Sequence, residues 1–105
     1  MNYTNRMYSV EQSRTFKAWV NDLRDAIARV RITARLSMAK EGNLGDCEPV
    51  DGGVHEMRVH VGPGYRLYFV HRGKRIIFLL LGGNKSSQSR DIRRAKAMAE
   101  AIDKE

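Results

Sequence analysis

Between Val54 and Leu81 the chain spells three strands with almost nothing between them. In the first, Val54, Met57, Val59 and Val61 are apolar while Glu56, Arg58 and His60 share the other side, close to the two-residue period of a half-buried strand. Gly62-Pro63-Gly64 turns into a second run, Tyr65 to His71, and Arg72-Gly73-Lys74 turns into a third, Arg75 to Leu81. A parallel crossover needs roughly a dozen or more residues, so connections this short dictate an antiparallel meander. The third run is apolar on both faces from Ile76 to Leu81, which predicts a strand inside the sheet and covered from both sides.

Upstream, Phe16, Trp19, Val20 and Leu23 recur at i, i+3, i+4 and i+7 and predict one face of a helix. Asn21-Asp22 reads as the break before a second helix over about 23–40, with Asp22 as its N-cap and Asp25 in its first turn. That helix carries two apolar stripes: Ile27, Val30, Ala34 and Met38 on one side, Ile32 and Leu36 nearly opposite. One stripe faces the sheet. The other needs a neighbouring helix or a partner protein, and packing on the first helix is the plainer expectation. Residues 3–10 read as a short first strand, 41–53 as a long turn-rich connection, and 88–103 as a last helix. This helix shows Ile92, Ala95, Ala99 and Ile102 on one face, with Ser87 or Ser89 as cap. The expectation is one α+β domain over residues 1–105, ordered β-α-α-β-β-β-α. Two helices pack on one face of an antiparallel sheet, and a C-terminal helix follows.

A chain of 105 residues is long enough to fold without disulfides or metal. Its 19 Lys+Arg against 12 Asp+Glu, net +7, favour a polyanionic partner, nucleic acid first and an acidic protein second. Cys47 stands alone, which excludes an internal disulfide, and no Cys/His cluster has zinc-ligand spacing. No metal and no cofactor are expected, and a reducing, cytoplasmic location follows. The start of the sequence lacks the apolar run of a secretory signal, and the longest apolar run, Ile76 to Leu81, is far too short to span a membrane.

Two glycine-punctuated segments carry the chemistry: Gly62-Pro63-Gly64-Tyr65-Arg66-Leu67-Tyr68-Phe69 and Leu80-Leu81-Gly82-Gly83-Asn84-Lys85-Ser86-Ser87-Gln88. Arg66 offers a planar fork of donors suited to phosphate oxygens. Arg58 shares a strand face with Glu56 and His60. Lys85 follows a Gly82-Gly83 pair, a place where glycines let backbone approach a ligand and turn successive N–H groups outward. Each has a plainer reading: a salt-bridged strand arginine, a solvated strand face, a surface lysine. Glu56, His60 and Glu48 are the candidate proton acceptors, and imidazole exchanges protons readily near neutrality. His55 and His71 alternate to the face opposite Glu56. Tyr65 and Tyr68 offer stacking surfaces for bases, with packing the favoured role for Tyr65. Arg90, Arg93, Arg94 and Lys96 make a basic cluster on the last helix; Phe16 and Trp19 belong to the core.

Several local patterns occur together in order. They are Phe16-x-x-Trp19 with Leu23-Arg24-Asp25, then Arg29-x-Arg31-Ile32-x-x-Arg35-Leu36, then Gly42-Asn43-Leu44-Gly45-Asp46. Gly53-Val54-x-Glu56-Met57-Arg58, the Gly62–Phe69 segment and Leu80-Leu81-Gly82-Gly83-Asn84-Lys85-x-x-Gln88-x-x-Asp91-Ile92 continue the series. With these the chain resembles, over nearly its whole length, the RelE/ParE superfamily of bacterial toxins from toxin–antitoxin modules. It is most similar to the HigB-like branch, also called addiction-module killer proteins. The resemblance implies a microbial-ribonuclease-like fold, metal-independent cleavage of mRNA in the ribosomal A site, and inhibition by a cognate antitoxin of helix-turn-helix type. It implies ribosome and mRNA as partners, and no membrane.

The resemblance also implies roles. Arg66 matches the arginine that steadies phosphate in the ribonuclease branch, and Arg58 a position that is often basic there. Lys85 stands where a basic residue takes part in catalysis, and Glu48 near a catalytic glutamate of another branch. Glu56 and His60 remain candidates for proton transfer, and Tyr68, Arg90, Arg93 and Arg94 for contact with RNA. One departure matters: ribonuclease branches place a histidine or tyrosine in the C-terminal segment, and this chain has neither after His71, with Gln88 and Asp91 in that region instead. The ParE branch shares the fold but poisons DNA gyrase and cuts no RNA, so a gyrase inhibitor is the alternative reading.

Overall fold

A computed structural model describes residues 7–103. In chain order the elements are β1 (Ser9–Gln12), α1 (Arg14–Asp22), α2 (Ala26–Lys40), β2 (Cys47–Asp51), β3 (Val54–Val59), β4 (Tyr65–Arg72), β5 (Ile76–Asn84), a 3-10 turn (Lys85–Ser87) and α3 (Gln88–Asp103). The fold is α+β, with the strands in one sheet ordered β1-β5-β4-β3-β2. The predicted meander is β3-β4-β5, antiparallel throughout.

Two features of the sheet correct the sequence reading. The sheet is mixed, because β1 runs parallel to β5 with Ser9 opposite Ile76 and Gln12 opposite Leu79. The first strand begins later than expected, and residues 3–6 of its predicted span lie outside the described residues. The stretch read as turns contains β2, paired antiparallel with β3 at the other edge. Only Cys47 and Val50 of that strand are partly covered, so it has little apolar alternation to read. Pro49 sits in it because an edge strand needs no donor on its open side.

Local capping explains where the helices start. Ser13 Oγ accepts the Phe16 N–H at 2.9 Å and donates to the Leu80 carbonyl at 2.6 Å, fixing α1 to β5. Asp22 closes α1 and does not cap α2, a further correction. The N-cap is Asp25, whose Oδ1 accepts the Ala28 N–H at 3.0 Å after an extended residue at Leu23. Ahead of α3, the Asn84 side chain caps the 3-10 turn by accepting the Ser86 N–H at 2.9 Å.

Helices cover both faces of the sheet. On one, Phe16 of α1 and Ala28, Ile32 and Ala39 of α2 pack with Met57, Leu67, Phe69, Ile77 and Leu79. On the other, Ala95 and Ala99 of α3 pack with Val54, Tyr68, Leu80 and Leu81. This is why β5 is apolar on both sides. Its alternation slips where Tyr68 pairs with Leu81 and Phe69 with Leu79, a bulge that leaves Leu80 as the extra residue. In α2 the Ile32 stripe faces the sheet. The other stripe does not pack on α1: Ile27 is 65% exposed, Val30 69% and Met38 39%. Among the described residues, no helix is long and apolar enough to cross a membrane.

Candidate functional site

Strand register builds the site on the face of the sheet that carries α3. Arg58 of β3 lies opposite Arg66 of β4, and Arg66 opposite Gly83 of β5. One step along, Glu48, Glu56, Tyr68 and Leu81 form the next row. Glu56 is buried, at 1% exposure, and a buried carboxylate must be satisfied by donors. Its Oε2 lies 3.3 Å from Arg58 Nε and its Oε1 3.4 Å from Arg66 Nε. Gln88, the first residue of α3, donates its side-chain amide to the same Oε1 at 2.6 Å.

Arg58 has further partners. Its terminal nitrogens reach Glu48 at 2.8 Å and Asp46 at 3.3 Å. The Glu48 bond, with the charges of Glu48 and Asp46, holds this guanidinium above its ordinary pKa. The other Asp46 oxygen is 2.6 Å from His60 Nε2, and that contact, aided by the charge of Arg58, holds Asp46 below the usual carboxylate value. Arg35 of α2 braces the assembly from below. It donates to the Arg58 carbonyl and, at 3.0 Å, to the Leu44 carbonyl, fixing the loop that carries Asp46.

A cleft of about 340 Å³ opens beside these rows, lined by His60, Val61, Gly62, Pro63, Gly64, Arg66 and Lys85. Its two loops are tied together, since the Lys85 N–H donates to the Gly64 carbonyl at 2.9 Å. The turn needs glycine at positions 62 and 64, where φ is +55° and +83°. Below it, Tyr65 packs against Trp19 and brings its hydroxyl 3.4 Å from Asp25; burial first, then Asp25, raises the phenol's pKa. Arg66 is 12% exposed. Its Nε is buried toward Glu56, and no hydrogen bond or ion pair among the described residues engages its terminal nitrogens.

The residues singled out in the sequence therefore divide. Arg66, Lys85 and His60 line one cleft. Arg58, in the same row as Arg66, stands inside a cage of three carboxylates, Asp46, Glu48 and Glu56. Glu48 is exposed and committed to that cage. Glu56 as proton acceptor is corrected, because its carboxylate is beneath the surface, hydrogen-bonded to Arg58 and Gln88 and ion-paired with Arg66. Tyr68 as a base-stacking residue is corrected too: its ring is fully buried, and burial first, then the charge of Glu56, raises the pKa of its hydroxyl. Arg90, Arg93 and Arg94 are exposed on α3 and form no ion pair among the described residues.

The Gly82-Gly83 pair also has a different reason than ligand approach. Both residues are within β5, and a Cβ at Gly82 would collide with the Trp19 ring on one face. A Cβ at Gly83 would collide with the Asp91 carboxylate on the other. They let α1 and α3 press onto the strand. Three residues of the site had no role in the sequence reading: Asp46, which joins Arg58 to His60; Gln88, which holds Glu56; and Arg35. All three stand within the family-like patterns, but nothing in spacing shows which backbone or side chain each one reaches. His55 and His71 occupy the opposite face, His55 stacked on Phe69 with ring centroids 5.3 Å apart and edge-on to His71 at 5.1 Å.

A second surface lies on α2. Around exposed Ile27, Val30, Ala34 and Met38 stand exposed Arg24, Arg31 and Lys40, and α2 contains no acidic residue. A groove of about 410 Å³ between α1 and α2, lined by Val20, Asn21, Ala26, Arg29, Val30 and Thr33, adjoins this stripe.

No protein-family model matches the chain. It is 36% identical over 93 residues to an uncharacterized protein of Haemophilus influenzae, an alignment covering 89% of this chain and 94% of the relative. Identity sustained across almost the whole of both chains means that this protein and the Haemophilus protein belong to one family.

Proposed function

We propose that this protein is the toxin of a RelE/ParE-type toxin–antitoxin module, a metal-independent endoribonuclease that cuts mRNA on the ribosome and arrests translation. The observation that carries this reading is the cleft lined together by Arg66, Lys85 and His60, with Arg66 anchored from behind and its terminal nitrogens engaged by no hydrogen bond or ion pair among the described residues. A helical pair, an antiparallel meander and a final helix, in that order, also support the RelE-like assignment.

Metal-independent cleavage of RNA is a transesterification. The 2′-oxygen attacks phosphorus, the P–O5′ bond breaks, and a cyclic phosphate and a 5′-hydroxyl result. The 2′-proton needs an acceptor, the crowded phosphorus needs cations on its equatorial oxygens, and the departing oxygen needs a proton. In this reading His60, oriented through Nε2 by Asp46, takes the first proton on its other ring nitrogen. Arg66 grips the non-bridging oxygens as a planar fork, and Lys85 neutralises and protonates the leaving oxygen. Arg90, Arg93 and Arg94 attract flanking phosphates, and Arg58 contributes through the geometry of Asp46 and Glu56.

The cognate antitoxin, in the same reading, covers the stripe of α2. An apolar strip rimmed by Arg24, Arg31 and Lys40 suits an acidic amphipathic helix, whereas a second copy would set like charges against each other. The test is expression in bacterial cells with mapping of message 5′ ends. The wild type shortens mRNA and stops growth; Arg66→Ala restores growth while remaining folded and bound to the antitoxin. Growth arrest with intact messages and damaged DNA would replace this reading with gyrase inhibition.

A further inference from the structure

Arg66 is held by a chain of contacts that begins on a different element. Its Nε and the Gln88 amide converge on a single oxygen, Oε1 of Glu56, at 3.4 Å and 2.6 Å. The second carboxylate oxygen takes Arg58 Nε. With both oxygens occupied and 1% of the residue exposed, Glu56 cannot rotate without stranding a donor. Gln88 is suited to this place because it adds a donor without adding a charge. A lysine or arginine there would put a third cation around one carboxylate.

The element that delivers Gln88 is itself fixed. Asn84 caps the turn before α3, the Ser87 hydroxyl bonds Asp91, and glycine at 83 lets Asp91 descend onto the strand. Gln88 therefore reaches Glu56 from a seated helix end, and Glu56 passes that constraint to the Arg66 guanidinium plane. Because Nε is turned inward to Glu56 as an ion pair, and no hydrogen bond or ion pair among the described residues engages the terminal nitrogens, Arg66 is left able to serve the cleft it lines.

We propose that Gln88 and Glu56 are positioning residues for Arg66. Glu56 is the anchor, and Gln88 keeps the anchor facing the guanidinium. This rests on the reading of the cleft as a phosphodiester site. It also assigns a purpose to Gln88 in a C-terminal segment that has no histidine or tyrosine.

Two measurements test it. Nitrogen–proton correlation spectra of arginine Nε–Hε groups, with Arg66 assigned by its absence in Arg66→Lys, are compared between wild type and Gln88→Met, which keeps the side-chain length without the donor. Arg66 Nε–Hε should lose exchange protection and move toward the shift of exposed arginines, while Arg58 changes less. In a purified translation reaction, Gln88→Met should lower kcat by about tenfold, as misplacement of a catalytic group does, with KM nearly constant. If Gln88→Met fails to fold, Gln88→Asn serves, its amide one methylene short of Oε1. Unchanged Arg66 exchange in a folded variant, or undiminished kcat, overturns the proposal. Loss of protection in the variant, with no cleavage by wild type, supports the anchor and refutes the nuclease reading instead.

Discussion

Replacing Glu56 by glutamine changes one oxygen for nitrogen and leaves volume untouched, so any loss of stability reports charge and hydrogen bonding. The substitution leaves Arg66 Nε buried with no carboxylate in reach. Removing one partner of a buried ion pair costs ~3–5 kcal/mol. Arg58 keeps Asp46 and Glu48, so its share of the loss is small. Arg66 is 12% exposed and can drift outward, which places the expected loss at the lower end, ~3 kcal/mol. With a urea dependence of ~1.5 kcal/mol/M, the unfolding midpoint should fall by ~2 M. The exposed control Glu48→Gln should cost below ~1 kcal/mol. Adding Arg66→Met to Glu56→Gln should recover most of the loss, because the stranded cation leaves with its partner. A Glu56→Gln protein within ~1 kcal/mol of wild type would refute the buried anchor.

Three further outcomes follow from other parts of the molecule. Gly82→Ala should destabilise by ~1–3 kcal/mol through overpacking against Trp19, read in thermal or urea unfolding, and combining it with Trp19→Leu should recover part of that loss. His55 is held below the ordinary imidazole value of 6.5 by burial and by the charge of His71. The unfolded chain therefore binds its proton first, so this contribution to stability is intact above that value and is lost as pH falls from 6.5 toward the lowered folded pKa. The melting temperature should fall between pH 7.5 and 5.5, and by less in His55→Gln. Lys85→Met should weaken binding of a non-cleavable RNA strand and flatten the slope of log affinity against log salt by ~0.7, the share of one phosphate contact. An unchanged slope would remove Lys85 from the RNA path.

The meander was legible because three apolar runs and two short turns leave a chain no other pairing, and the α2 stripes because periodicity shows faces. Which stripe faces inward was not legible, since both are apolar and periodicity alone does not tell one face from the other. The strand β2 was hidden because an edge strand exposed on most of its length has no hydrophobic pattern to show. The parallel pairing of β1 depends on a contact between distant parts of the sequence. At the site, the glycines pointed to the segments that carry Arg66 and Lys85, and both residues line one cleft. Glu56 and Tyr68 misled for one reason: on a strand that alternates, a polar residue reads as solvent-facing. Here α3 comes down over that face and buries both. Gly82 and Gly83 looked like ligand glycines, but their neighbours are Trp19 and Asp91.

The central claim is that the cleft between the Gly62–Gly64 turn and Lys85 takes the scissile phosphodiester. Its most direct test is a reconstituted reaction with purified ribosomes and a defined message, comparing wild type with Arg66→Ala under matched folding. Wild type should make a discrete cut in the message, and Arg66→Ala should leave the message intact and translation running. A folded Arg66→Ala protein that cuts the message at the wild-type rate would contradict it.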